Sequence, residues 1–159
     1  MDPVIEHREA FTVLGLQSRV KQGSETSELF ASIWQKFEAE RAAIEPLAVS
    51  RKYYGINFPA ESEGMSDYFT GMAVAVDSPV ADGLLKRHVP AGDYAVIECA
   101  VERIGLCYQA IFTTWLPSAP VRFNPDHPVF EEYPEKDPTL PVRIHIPVTK
   151  NESSAKTPG

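Results

Sequence analysis

Glu131 and Glu132 stand side by side between two aromatic residues, Phe130 and Tyr133, at the centre of a proline-studded segment that runs from Trp115 to Val148. Seven of the chain's fourteen prolines fall between Pro117 and Pro141. Proline fixes φ and removes a backbone donor, so this segment is expected as edge strand or rigid loop and not as helix. A pair of carboxylates on such a braced segment has two readings. Solvated, they are ordinary surface acids, the usual fate of unpaired Asp and Glu. Shielded by the neighbouring rings, a carboxylate is poorly hydrated and becomes a receptor for positive charge. Composition alone does not choose between the readings, or between the two acids.

Other chemistries have less to stand on. Cys99 and Cys107 are eight residues apart, with no second pair and no clustered histidines, so no metal site and no cofactor is expected. Two buried, reduced thiols in a cytoplasmic protein are the default for such a pair. His145 alternates with Arg143, while His7, His88 and His127 are scattered; Ser and His show no arrangement that marks an activated nucleophile. The net charge of −7 argues against nucleic acid as a direct partner and is compatible with a cationic ligand. No apolar run approaches the ~20 residues that span a bilayer, and Met1-Asp2-Pro3 does not open a signal segment. A length of 159 residues fits one domain.

The elements that must position the acids are legible from periodicity. Residues 1–10 are polar and lead into a strand at Phe11–Gln17, in which Gly15 marks a bulge. Ser and Thr caps near 23–27 open a helix over 27–44, with Leu29, Phe30, Ile33, Trp34, Phe37 and Ile44 at helical spacing and Pro46 beyond its end. Lys52–Asn57 reads as a strand, followed by an acidic turn near 61–64. In the next strand, Tyr68–Val76, Tyr68, Thr70, Met72 and Val74 share one face and Phe69, Gly71 and Ala73 the other. Leu85–Val89 and Tyr94–Cys99 read as one strand kinked at Pro90-Ala91-Gly92. A second helix over 103–116 carries Ile104, Cys107, Tyr108, Ile111, Phe112 and Trp115, and Val142–Val148 closes the fold. Residues 150–159 have no apolar anchor and are expected to form a disordered tail behind a domain of residues 1–149.

Strand, helix, strand, strand thus occurs twice. The pattern predicts an α+β domain: duplicated units forming a mainly antiparallel sheet, both helices on one face, and an open face left to bind a ligand.

Several segments in order resemble the GyrI-like effector-binding domain family. They are Phe11-Thr12-Val13-Leu14-Gly15-Leu16, Tyr54-Gly55-Ile56, Tyr68 with Gly71-Met72-Ala73-Val74, and Val89-Pro90-Ala91-Gly92-Asp93-Tyr94-Ala95-Val96. Trp115-Leu116-Pro117-Ser118, Pro128-Val129-Phe130-Glu131-Glu132-Tyr133 and Ile144-His145-Ile146-Pro147-Val148 continue the series. That family supplies the drug- or effector-sensing module of bacterial transcription regulators, and the resemblance implies the duplicated fold. Its regulators also carry a helix-turn-helix domain, for which this sequence has no room. The resemblance therefore implies a stand-alone binding module, similar to members encoded on integron cassettes that bind cationic drugs.

In cation-binding members the carboxylate of the Phe-Glu-x-Tyr motif lies at the bottom of an aromatic pocket. The resemblance places Glu131 there, with Tyr133 on the same strand face and Glu132 turned away beside Phe130. Tyr54, Tyr68, Trp34, Trp115 and Met72 are the candidate walls; the two tryptophans also suit the helix cores, and Tyr68 and Phe69 point oppositely, so only Tyr68 is chosen. The expected partner is an amphipathic organic cation bound by a monomer. Two alternatives stay open. One is hydrolysis of a reactive small molecule by the same carboxylate with a tyrosine. The other is docking onto a separate transcription regulator or gyrase.

Overall fold

Thr26 opens the first helix: its backbone is extended and its hydroxyl accepts from the Leu29 amide at 3.1 Å. A computed structural model describes residues 2–21, 26–60, 63–134 and 139–150. The strands are β1 (Val4–Arg8), β2 (Phe11–Lys21), β3 (Tyr53–Pro59), β4 (Met65–Val74), β5 (Leu85–Val89), β6 (Gly92–Cys99), β7 (Val121–Phe123), β8 (Val129–Tyr133) and β9 (Val142–Lys150). The helices are α1 (Ser27–Ile44) and α2 (Ile104–Ala110). No helix among the described residues is long and apolar enough to cross a membrane.

All pairings are antiparallel, in the order β1-β6-β9-β8-β3-β4-β2-β5, with β7 beside the end of β9. The duplication is visible in that order. β6-β9-β8 mirrors β2-β4-β3, and the two second strands, β8 and β3, meet in the middle. Each leading strand crosses to the other unit: β1 pairs with β6, and β5 pairs with β2.

Two short links then bend the sheet. Glu9-Ala10 joins β1 to β2, and Pro90-Ala91 joins β5 to β6, and each link connects opposite ends of the strand order. Two linking residues reach only about 11 Å between strand ends, so the ends of the sheet must curl together. The inner face is filled by Val13, Tyr54, Phe69, Val89, Tyr94 and Phe130. Gly15 lies opposite Gly71 in the β2–β4 register, where a Cβ on Gly15 would come within 1.9 Å of the Thr70 carbonyl oxygen. It marks a close backbone approach rather than a bulge.

Both helices lie on the outer face. α1 sinks Phe37 and Ile44 onto Leu14, Met72 and Val74, and Ile33 onto Val20 and Tyr68. Ile111, just beyond α2, packs with Ala95, Ile144, Ile146 and Val148. The α+β class, the antiparallel sheet and the shared helix face are as the pattern predicts.

Further details differ from the sequence reading. Residues 4–8 form a strand, because their partner β6 is ninety residues away and invisible to local pattern. The Pro-Ala-Gly step does not kink one strand; it separates two strands at opposite ends of the sheet. β8 is central, not an edge, since Pro128 and Pro134 flank it and leave its ladder intact. Cys99 and Cys107 are joined as a disulfide rather than reduced, because the end of β6 and the first turn of α2 bring them together. The 103–116 helix is a composite: a 3₁₀ turn Val101–Arg103, then α2, then a π-helical turn Ile111–Trp115 and a 3₁₀ turn Leu116–Ser118. Lys150 belongs to β9; the tail beyond it, and part of the turn expected at 61–64, lie outside the described residues.

Candidate functional site

Glu131 projects from β8 onto the helix-bearing face, opposite Gly55 of β3 and Ile144 of β9 in register. It is only 5 % exposed. Three phenols donate to it. Tyr68 and Tyr133 reach Oε1 at 3.2 and 3.4 Å, and Tyr108 makes a short hydrogen bond to Oε2. Gly55 makes this convergence feasible, because a Cβ there would lie 2.2 Å from the Tyr68 hydroxyl and 3.1 Å from Glu131 Oε1. Burial pushes the Glu131 pKa up to about 7; the three hydrogen bonds, led by that of Tyr108, pull the other way without restoring the ordinary value. Burial and then the facing carboxylate raise Tyr68, Tyr108 and Tyr133 in turn, so all three stay protonated donors.

Above Glu131 lies a cleft of about 920 Å³ between the two helices. α1 contributes Phe30, Ala31 and Trp34; the α2 side contributes Ile104, Gly105, Tyr108 and Phe112; the strands supply Asn57, Tyr68, Val129 and Tyr133. Rings brace one another around it: Trp34 stands edge-on to Tyr133 at 5.3 Å, and Phe30 to Tyr68 at 4.9 Å. No lysine, arginine or histidine lines the cleft among the described residues. The groove expected on the face away from the helices is therefore between them, because the other face is consumed by the curl of the sheet.

That other face holds Glu132, 2 % exposed and fully partnered. Arg8 Nη2 lies 2.9 Å from Oε2, Lys52 Nζ 3.7 Å and Arg143 Nη1 3.9 Å from Oε1, and the Tyr54 hydroxyl donates to Oε2 at 2.8 Å. Burial raises its pKa, but Arg8, Tyr54 and Lys52 outweigh burial, and the group lies below the usual carboxylate range. The Arg8 guanidinium sits 4.7 Å over Phe11 and 5.4 Å from the Phe130 ring centre. His145 stacks on Phe130 at 4.2 Å; burial and then Arg8 push its pKa down to about 4, so it is a neutral acceptor for Arg8.

The Cass2 family, described as integron-associated effector-binding proteins, matches residues 4–148. The chain belongs to that family. Among relatives, it is 28 % identical over 152 residues to the transcriptional regulator BrlR of Pseudomonas aeruginosa. That match takes in 91 % of this chain and 54 % of the regulator, so the chain spans about half the length of this curated relative. In fold it is similar to SAV2435 bound to tetraphenylphosphonium, with TM-score 0.75, 18 % identity and 94 % of each chain covered. It is also similar to the integron cassette protein VCH_CASS2 from the mobile metagenome of Vibrio cholerae, with TM-score 0.66 and 20 % identity, covering 93 % of this chain and 96 % of that one.

In this Cass2-family chain, Glu131, Tyr133, Tyr68 and Trp34 come together around the cleft. Three other expected wall residues do not. Tyr54 faces the inner side, since it pairs in register with Glu132 and its neighbour Tyr53 pairs with Tyr133. Met72 shares the face of Tyr68, as alternation requires, but lies four residues along β4, packed beneath α1 with Leu14 and Phe37. Trp115 packs with Ile111 and Leu116 against β6 and β9. Tyr108 is the carboxylate partner that sequence reasoning missed, and Phe30 and Phe112 are walls it did not name. The signal was a second stripe: Ile104, Tyr108 and Phe112 recur every four residues and line the cleft, while Cys107, Ile111 and Trp115, also four apart, pack inward.

Proposed function

We propose that this protein binds lipophilic aromatic cations in the cleft over Glu131. The observation that carries the reading is a buried carboxylate, ringed by phenols and aromatic walls, with no cationic side chain lining its cleft among the described residues. A cation with an apolar body relieves the unfavourable hydration of that charge and stacks on rings, each such contact contributing ~0.5–2 kcal/mol. The likeness to a protein bound to tetraphenylphosphonium supports this ligand class. Its likeness to half of a transcriptional regulator supports effector sensing coupled to a regulator as the setting. The working unit in this reading is residues 1–149 as a monomer.

The test uses two ions of nearly one shape. Calorimetric titration at 0.15 M salt should show micromolar binding of tetraphenylphosphonium and at least about thirtyfold weaker binding of tetraphenylborate, a gap of ~2 kcal/mol. Equal affinities would leave only hydrophobic contact and sink the role of Glu131. Mass spectrometry of the recovered ligand separates binding from turnover, since hydrolysis changes its mass.

A further inference from the structure

The two walls of the cleft are anchored differently. α1 is an eighteen-residue helix with Ile33, Phe37 and Ile44 sunk into the sheet. α2 has seven residues, of which Ile104, Cys107, Tyr108 and Ala110 are part-buried and none is sunk into the sheet as Phe37 is, and it is bounded by 3₁₀ and π-helical turns. Such short, mixed segments hold their shape by packing rather than by their own hydrogen bonds. Beyond α2 the anchor is Ile111, 1 % exposed. Within α2 the anchor is covalent: Cys107 is bonded to Cys99, the last residue of β6. The closed loop carries Val101, Ile104 and Gly105, all lining the cleft, and Cys107 directly precedes Tyr108, the donor to Glu131 Oε2.

We propose that the Cys99–Cys107 disulfide positions Tyr108 against Glu131, so that the affinity of the cleft for cations follows the thiol–disulfide state of this pair. The choice of ligand rests on the cation reading above; the positioning of Tyr108 does not.

The chemistry is ordinary exchange with a dithiol. A thiolate of the reductant attacks Sγ of Cys107, half-buried and so more accessible than Cys99 at 5 % exposure. The S–S bond breaks, and Cys99 leaves as a thiolate that takes up a proton. The second thiol of the reductant then displaces Cys107, which is protonated in turn, and the reductant departs as a disulfide. Two electrons and two protons reach the protein. The freed Cys99 thiol has an acceptor ready, the Ala100 carbonyl oxygen 3.3 Å away. With the tether cut, α2 keeps only the partial packing of Ile104, Cys107 and Tyr108 on the sheet and the Ile111 anchor beyond it, and the Tyr108 bond is populated for less of the time.

The groups that face Glu131 define what else can compensate. They are Tyr68 from β4, Tyr133 from β8, Tyr108 from α2 and the uncharged ring of Trp34 from α1; β3 and β9 present Gly55 and Ile144. Tyr68 and Tyr133 sit on strands that the disulfide does not touch. Loss of the Tyr108 bond therefore shows as a specific change at Glu131, because that bond holds its titration midpoint down.

The experiment uses the full chain prepared in air, the same protein in dithiothreitol, and Cys107→Ser under both conditions. Tetraphenylphosphonium affinity should fall about five- to tenfold on reduction, a usual size for coupling through one element. Cys107→Ser should start at the weaker value and ignore the reductant. Independently, the protonated-carboxyl infrared band that Glu131→Gln removes should titrate at higher pH in reduced protein and in Cys107→Ser. A role confined to stability would leave that midpoint in place. An unmoved midpoint in folded reduced protein, unchanged affinity on reduction, or two free thiols in the air-prepared protein overturns the proposal. If tetraphenylphosphonium binds neither form, the cation reading falls, and the infrared midpoint still decides the tether. If Cys107→Ser does not fold, wild type with and without dithiothreitol supplies both readouts.

Discussion

Glu132 keeps company with a cation that the chain itself supplies, whereas Glu131, its neighbour on β8, has phenols and an aromatic cleft. On the inner face a guanidinium lies 2.9 Å from the carboxylate and within 4.7–5.7 Å of the Phe11, Phe130 and Tyr54 ring centres. On the outer face the carboxylate and the rings are present, and three hydroxyls stand where positive charge would. The pKa values record the difference: Glu132 is depressed below the ordinary range and Glu131 is raised to about 7. Burial is the first cause in both. What distinguishes the two is whether a cation is built in. The Arg8 site is thus an internal example of the complex that the cleft would form with a ligand.

Removing the built-in cation should have the largest effect. Arg8→Met keeps an apolar stem over Phe11 and Phe130 but leaves Glu132 buried without its nearest charge. Breaking such a pair typically costs 3–5 kcal/mol, and the low end, about 3 kcal/mol, is expected because Lys52 and Arg143 remain nearby. In the wild type the depressed Glu132 stabilises the fold above the unfolded value near 4.5, and that contribution is lost as pH falls through its folded pKa. In the variant burial acts unopposed by Arg8, so the loss should be larger at pH 7 than at pH 5, which is nearer to protonation of Glu132. Denaturant melts at both pH values check this. Equal losses would mean that Arg8 acts through ring packing and not through charge.

Next in size is Glu131→Gln, which keeps shape and deletes charge. It should weaken tetraphenylphosphonium binding by about thirty- to a hundredfold, or ~2–3 kcal/mol. The pH dependence has a definite sign. A glutamate near 4.5 unfolded and about 7 folded favours the folded state when protonated, and that advantage is lost as pH rises from 4.5 through 7. Above pH 7 the ionised group destabilises the empty protein by something on the order of 3 kcal/mol. Glu131→Gln should therefore melt higher than wild type at pH 8, with the gap closing toward pH 5. Cation affinity of wild type should fall below pH 7, approaching tenfold per pH unit, while that of the variant stays flat. A wild-type affinity indifferent to pH would show Glu131 already ionised in the empty cleft, and the contrast with Glu132 would collapse.

How much of this was legible depends on whether the information is local. Alternation along β8 is local, and it correctly sets Glu131 with Tyr133 and Glu132 with Phe130. Which tyrosine of β3 joins them is a matter of register between strands, and a shift of one residue exchanges Tyr53 for Tyr54. Arg8 was out of reach for the same reason. Its strand pairs with β6, and nothing in Val4–Arg8 announces a partner ninety residues on. Met72 was assigned the right face, but strand parity says nothing of position along a strand. Periodicity places Tyr108 on the helix; separating its stripe from that of Cys107 and Ile111 requires knowing that a cleft runs along one side of α2.

The smallest expected effect falls on the residue next door. Glu132→Gln removes a negative charge as close in sequence to the cleft as a charge can be, yet its side chain is on the far side of the sheet. Its field at the cleft is already countered by Arg8, Lys52 and Arg143, and what remains is screened over ~8 Å at 0.15 M salt. The expected change in tetraphenylphosphonium affinity is less than about threefold, under ~0.7 kcal/mol. The loss belongs instead to stability, because Arg8 is left over its rings without a carboxylate. The two neighbouring substitutions should therefore separate cleanly: Glu131→Gln costs affinity and spares the fold, and Glu132→Gln does the reverse. Titration of both variants with one cation, alongside melts in the same buffer, checks this. Equal losses of affinity would mean that the cleft senses net charge rather than one buried carboxylate, and the pairing of Arg8 with Glu132 would no longer explain why β8 carries two acids.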